Sequence, residues 1–382
     1  MLQPASATIV AVLLVAALFG FRIASLVEGT TYAERDLRSS TIQLRSIADN
    51  PVNAPYKTAQ YVVGKVNRTV SSQRLVSGLA AGLMILLFYT IASRLFRRYV
   101  ALGTTLMFAT SSALLHIGRS GTPDIMLLTM FALIVCGYGA RFSVRNSRWL
   151  LITSAAVGLS LFVPGMVYFL VAGAVWQFKS IKRAVQTSSP LLIAACSAII
   201  LASLTPIVLS IINDTSLVKA YLGLPAKLPS PVTMLKTMLS VPAGVVAFAP
   251  KDAYFRLGRL PLLDVFGAGM LILGCYGLVK KYSLDRTRLL AGILIVTMLW
   301  CGVSGDYRNS LLLLPFVYLV VGTGMSWFIR QWRSVFPRNP LAIFIAYILL
   351  GGGILLSCNY QLQRYFLAWP DSPETKAVYT RE

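Results

Sequence analysis

The chain has 382 residues and a formal charge of +22, from 35 Lys and Arg against 13 Asp and Glu. Hydrophobic residues make up 56% of it and charged residues only 13%, with a mean hydropathy of +0.70, which excludes a water-soluble globule and a disordered basic tail. The basic residues sit in short clusters between long apolar runs, which excludes a nucleic-acid-binding domain and describes a polytopic membrane protein.

A bilayer core about 30 Å thick needs about 20 apolar residues in a helix. Such runs are predicted at about 7–26, 75–93, 99–116, 124–140, 149–163, 165–178, 190–212, 261–279, 287–303, 309–329 and 340–357. The first reads as a retained anchor, because Gly20-Phe21-Arg22-Ile23 is not a small-residue cleavage site. Pro164-Gly165 breaks the stretch 149–178 into either one kinked helix or two short ones. Two helices put the clusters Arg94/Arg97/Arg98, Arg141/Arg145/Arg148, Lys179/Lys182/Arg183, Lys280/Lys281/Arg286/Arg288 and Arg330/Arg333/Arg338 on one face. That face holds 16 basic residues and a single acid, Asp285, and reads as cytoplasmic.

The expected fold is therefore an all-α polytopic membrane protein of the plasma membrane with about eleven crossings. Its N-terminus is expected inside and its C-terminus outside. Two large outer loops cover about 27–74 and 213–260. Their apolar stretches, Tyr61-Val62-Val63 and Val241 to Phe248, read as short interfacial helices. Residues 1–357 are expected to form one transmembrane domain and 358–382 a short outer tail. The five cysteines lie in or beside apolar runs without a CxxC pair, and read as small buried hydrophobes. His116 is the one histidine, so no multi-His metal site can form.

Twelve of the 13 acids fall on the outer side, and ionisable groups at the membrane are functional candidates. Glu28 directly follows the first span; a solvated acid at a helix exit is the plain alternative. Asp124 closes Gly118-Arg119-Ser120-Gly121-Thr122-Pro123-Asp124 and opens the fourth span. Helix capping by Thr122, Pro123 and an acid in the first turn explains it without function. A functional role would put its carboxylate at the mouth of one outer cavity with Glu28. Asp306-Tyr307-Arg308 opens the tenth span, where Arg308 is either a snorkelling anchor or an anion site. Lys57, in Pro55-Tyr56-Lys57, is a surface lysine or a second phosphate contact.

These residues resemble the membrane glycosyltransferases of the GT-C class, in the branch of protein O-mannosyltransferases and lipid A aminoarabinose transferases. Glu28-Gly29-Thr30-Thr31-Tyr32-Ala33 matches the acidic pair, two residues and Tyr-Ala of that family, with Gly29 in place of the second acid. Pro55 keeps the proline of its next motif. Phe108 through Arg119 and Asp124 to Leu128 matches its Asp-terminated turn, and Arg308 to Pro315 its late Arg and Leu-rich run. Pro164-Gly165 stands where the family has Lys-Gly. The resemblance implies an inverting transfer of sugar from a polyprenyl-phosphate donor to a lipid, glycan or protein hydroxyl at the outer face. It implies Glu28 as general base, Asp124 as an orienting carboxylate, Arg308 and Lys57 on the donor phosphate, and Tyr32, Arg119 and Tyr307 around the acceptor. No cofactor is expected; a divalent metal would need a second acid beside Glu28. Two other classes stay open: a polytopic transporter or lipid flippase, and a GT-C-like membrane protein without activity.

Overall fold

The structure is a computed structural model, and it describes residues 15–23, 25–27, 29–144, 149–225, 227–280 and 283–379. Glu28 and the first half of the first predicted span lie outside the described residues. Among the described residues every element is helical. Five helices are long and apolar enough to cross a membrane, or six if one bent pair is a single span, and five shorter apolar helices accompany them.

Helix starts follow a repeated local device. Ser189-Pro190, Ser230-Pro231 and Asn339-Pro340 each place a capping side chain before a proline. The cap accepts from the backbone N–H of Leu192, Thr233 and Ala342, respectively. Proline costs nothing there, because the first helical N–H has no partner within the helix anyway. The 70–95 helix is capped in the same way by Thr69, which accepts from Ser72.

Two predicted runs are interrupted. The stretch 99–116 divides into Arg98–Thr110 and Ser112–Arg119, bent by 56°. Ser111 causes the break by capping the second helix through the Leu114 N–H, while its hydroxyl returns to the Phe108 carbonyl. The stretch 149–178 is two helices, Trp149–Ser160 and Met166–Trp176. Gly165 joins them at φ +76°, a left-handed backbone whose missing side chain leaves room for the Trp300 ring. The loop around Gly165 is tied to both large loops. The Asn53 N–H donates to the Phe162 carbonyl at 2.7 Å, and the Gly165 N–H to the Tyr221 carbonyl at 3.0 Å. This end of the molecule is called the loop end below, and the end bearing Arg97, Lys280 and Arg330 the basic end.

The large loops carry helices, as expected: Tyr32–Ser40, Leu44–Asp49 and Ala54–Val66 in the first, Leu217–Leu222 and Pro231–Val246 in the second. The C-terminal tail is packed rather than loose. The helix Pro340–Gln363 runs on through a π-helical turn, Arg364–Ala368, and Tyr365, Trp369 and Tyr379 are buried against the body.

Helices Val265–Val279 and Leu314–Val335 approach most closely. A Cβ at Gly274 would strike the Val320 carbonyl, and one at Gly324 the Met270 carbonyl. Bare backbone faces of this kind let helices associate where lipid removes the hydrophobic drive between them. Gly324→Val is expected to separate the pair and lower the thermal midpoint of the detergent-solubilised protein by several degrees, an overpacking loss of about 1–3 kcal/mol. An unchanged midpoint would contradict this contact.

Candidate active site

The loop end is organised by one buried carboxylate. Thr31 and Glu34 form a reciprocal capping box at the start of the Tyr32–Ser40 helix. The Glu34 N–H donates to Thr31 Oγ1 at 3.2 Å, and the Thr31 N–H to Glu34 Oε2 at 2.9 Å. The same carboxylate takes a two-point bond from Arg74, Nε to Oε1 at 2.9 Å and Nη2 to Oε2 at 3.1 Å. It also accepts the Gly121 N–H at 2.9 Å. Both side chains are almost wholly buried, 5% and 2% exposed for Arg74 and Glu34. Burial alone would raise the Glu34 carboxyl. The Arg74 hydrogen bond and charge, then the Thr31 and Gly121 N–H groups, overcome it and hold it below the ordinary carboxylate range. Arg74 further binds the carbonyls of Ile23 and Gly29.

This pair clamps the turn before Asp124. Gly121 lacks a side chain where a Cβ would press on Glu34. Gln60 donates to the Gly121 carbonyl at 3.1 Å, and Ser77 to the Thr122 carbonyl at 3.1 Å. Ser77 in turn meets the buried Tyr56 hydroxyl at 2.6 Å. The turn therefore delivers Asp124 to a fixed place at the start of its helix, where Thr122 Oγ1 donates to it at 2.6 Å.

From there Asp124 shares its field with a second loop. The charges of Arg308, Asp306 and Asp252 all act on it, and its own acts on Arg308. Arg308 Nε donates to Asp252 Oδ2 at 2.7 Å and Nη2 to Oδ1 at 3.4 Å. The guanidinium lies 5.0 Å from the rings of both Tyr254 and Phe255. Asp306 caps the short 3₁₀ helix by accepting the Arg308 N–H. A shallow cavity of about 520 Å³ opens here, lined by Lys251, Asp252, Tyr254, Asp306, Tyr307 and Arg308. Two carboxylates, a guanidinium and an ammonium line it, so it can meet both hydroxyl donors and an anion, with aromatic faces beside them. Among the described residues no group of three His, Cys, Asp or Glu stands close enough to hold a metal.

Beneath lies a much larger apolar cavity of about 1820 Å³, walled by Phe88, Phe131, Phe169 and Leu319 and rimmed at the basic end by Arg97, Lys280 and Arg330. Leu128, one helical turn after Asp124, already lines it. Pro315 and Phe316, which follow the short helix Tyr307–Leu313, line it too, so one chain segment runs from the polar cavity to the apolar one.

Of the residues singled out in the sequence, Tyr307 and Arg308 line one cavity, and the charge of Asp124 reaches Arg308. Glu28 is outside the described residues. Lys57 is buried on the helix Ala54–Val66 and donates to the Asn50 carbonyl at 2.8 Å. Burial pushes its ammonium down, with Asp36 offsetting part. Tyr32 is 72% exposed. Arg119 is a structural tie, donating to the carbonyls of Leu18 and Phe21 and to the Tyr365 hydroxyl. Glu34, Arg74 and Asp252 are not among the residues singled out in the sequence. Thr31-x-x-Glu34 is a readable capping box; nothing local marks the other two.

A family model described as dolichyl-phosphate-mannose-protein mannosyltransferase matches residues 60–209. The crystal structure of ArnT from Cupriavidus metallidurans in the apo state aligns with a TM-score of 0.63 at 14% identity, covering 99% of this chain and 78% of that one. The crystal structure of the same enzyme bound to undecaprenyl phosphate aligns with a TM-score of 0.61 at 13% identity, covering 96% and 76%. No curated protein matches. The chain has the ArnT-like fold of the GT-C glycosyltransferases, as the sequence resemblance implied.

Because Glu34 titrates below its ordinary range in the folded chain, its stabilising effect is complete above that range and fades as pH falls through the folded-state value. Glu34→Gln leaves Arg74 buried without its charge partner and is expected to remove about 3–5 kcal/mol near neutral pH. Thermal melts of both proteins should show this gap closing on acidification. A gap that does not vary with pH would contradict the ion pair's role.

Proposed function

We propose that the chain is a glycosyltransferase that moves a sugar from a polyprenyl-phosphate donor to an acceptor hydroxyl at the loop end, outside the plasma membrane. One observation carries this. The polar cavity lined by Asp252, Asp306 and Arg308 is joined by the short helix Tyr307–Leu313 to Pro315 and Phe316, which line an apolar cavity inside the helical body. A donor with a polar sugar phosphate and a long hydrocarbon chain has these same two parts. The family match and the ArnT fold support the class, and the undecaprenyl phosphate bound to ArnT supports this kind of lipid.

In the proposed reaction the acceptor oxygen bonds to the anomeric carbon as the bond from that carbon to the phosphate oxygen breaks. The acceptor proton goes to a carboxylate, and the phosphate leaves as an anion on its lipid. Glu28 keeps the base role that its motif position implies. Asp124, held by Thr122 and the clamped turn, orients the acceptor or the sugar hydroxyls. Arg308 is held by Asp252 with its guanidinium partly exposed in the cavity, where its charge opposes the build-up of negative charge near the leaving group. Fixing donor and acceptor together supplies a large part of the rate.

Purified protein in lipid nanodiscs, supplied with a panel of radiolabelled polyprenyl-phosphate sugars, should release sugar from lipid. Glu28→Gln and Asp124→Asn should each lower that turnover by about 10²–10⁴-fold with folding retained. Wild-type turnover in both variants would remove these residues from the chemistry. Movement of intact lipid across a vesicle bilayer without cleavage would favour a flippase instead. Orientation is tested separately in intact cells: a membrane-impermeant thiol reagent should label Tyr32→Cys and not Ser334→Cys. The reverse pattern would place the loop end inside.

A further inference from the structure

The polar cavity has a third wall. Besides residues 250–254 and 306–308 it is lined by Val378, on the short helix Pro373–Val378. The chain reaches this place along a run of contacts with the second large loop, taken in opposite order. Gln361 Nε2 donates to the Leu262 carbonyl at 3.1 Å, Arg364 Nη1 to the Pro261 carbonyl at 2.6 Å and Trp369 Nε1 to the Ala253 carbonyl at 3.0 Å. Glu374 then meets Lys251 at 3.0 Å. Ser372 caps the short helix by accepting the Thr375 N–H at 3.2 Å, and Thr375 is wholly buried. On the other side the Tyr379 ring packs edge-on to Trp369 at 5.6 Å, with the Arg74 guanidinium 5.9 Å from its centre. The segment 361–379 therefore bridges the Glu34–Arg74 pair and the polar cavity.

These attachments differ in strength. Lys251 and Glu374 are 61% and 47% exposed, and an ion pair so open to water contributes little. Trp369 is buried, and a buried indole N–H usually finds an acceptor. Here the acceptor belongs to Ala253, between Asp252 and Tyr254. Both neighbours hold Arg308. Asp252 Oδ2 accepts its Nε–H at 2.7 Å, and its guanidinium lies 5.0 Å from the Tyr254 ring centre. Asp252 Oδ1 also accepts the Tyr254 N–H at 3.1 Å, which ties the three residues into one turn. Releasing Trp369 frees that turn, and the guanidinium with it.

We infer that the segment 369–378 is a selecting wall of the polar cavity, in which Trp369 positions the Asp252–Arg308 pair and Val378 limits the size of the group admitted beside it. The valine side chain has no hydrogen bond to offer, so it selects by shape alone. That the admitted group is a sugar or its acceptor rests on the transferase proposal; the hold of Trp369 on the loop does not.

The test uses the full chain in nanodiscs. Trp369→Phe keeps an aromatic ring and removes the N–H. Hydrogen exchange read by mass spectrometry should quicken about ten-fold or more across residues 250–256, while the helix Leu314–Val335 keeps its wild-type rates. With whichever radiolabelled polyprenyl-phosphate sugar the wild type cleaves, the same variant should lose about ten-fold in kcat at unchanged KM, the mark of an interaction used only in the transition state. Val378→Phe should do the reverse, raising KM about ten-fold at unchanged kcat and leaving the exchange of 250–256 as it was. Wild-type exchange at 250–256 in Trp369→Phe, or an unchanged KM in Val378→Phe, would overturn the wall. Faster exchange of the helix Leu314–Val335 as well would make Trp369 a general support and overturn its positioning role. A wild-type protein that cleaves no donor would count against the transferase proposal, and the exchange of Trp369→Phe would still decide the positioning.

Discussion

The buried ion pair between Glu34 and Arg74 is the constraint on which the loop end depends. A carboxylate and a guanidinium at this depth are tolerable only when nearly every oxygen and N–H is used. Here four elements supply the partners. Thr31 closes the capping box, Arg74 comes from the long helix Val70–Leu95, Gly121 from the turn before Asp124, and the carbonyls of Ile23 and Gly29 come from either side of position 28. The first loop, a membrane-length helix and the Asp124 turn are thereby fixed to one another. Asp124 has a defined position because Glu34 does.

Charge at the loop end is mixed rather than of one sign. Asp252 and Asp306 line the same cavity as Arg308 and Lys251, and the charge of Asp124 also reaches Arg308. A sugar phosphate is divided in the same sense, with hydroxyl donors at one end and an anion at the other. The apolar cavity runs from Pro315 and Phe316 to the basic end at Arg97, Lys280 and Arg330.

The helical architecture was readable because the length of an apolar run is a strong and local signal. The break at Gly165 was readable for the same reason, since proline and glycine act on their own backbone. The break at Ser111 was not: the surrounding run is uniformly apolar, and a serine becomes a cap only when the neighbouring helix turns away. Asp124 and Arg308 were legible as acid and base at span openings, yet the reach of one charge to the other is a tertiary fact between residues 184 positions apart. Asp252 and Arg256 looked like an ordinary charged loop between Lys251 and Arg259, because their sequence neighbours say nothing of which is paired and which is buried. His116 was noticed only for what a single histidine cannot build, and the fold packs its ring edge-on against Tyr365 and Trp369. The folded tail, held by Tyr365, Trp369 and Tyr379, was masked by its shortness.

The central claim is that the loop end takes the polar head of a polyprenyl-phosphate lipid while the apolar cavity takes its chain. A cryo-electron microscopy reconstruction of the protein in nanodiscs with added polyprenyl phosphate tests it most directly. Headgroup density is expected in the cavity beside Tyr307 and Arg308, with chain density descending past Phe316 and Leu128. Headgroup density at the basic end, among Arg97, Lys280 and Arg330, would contradict it.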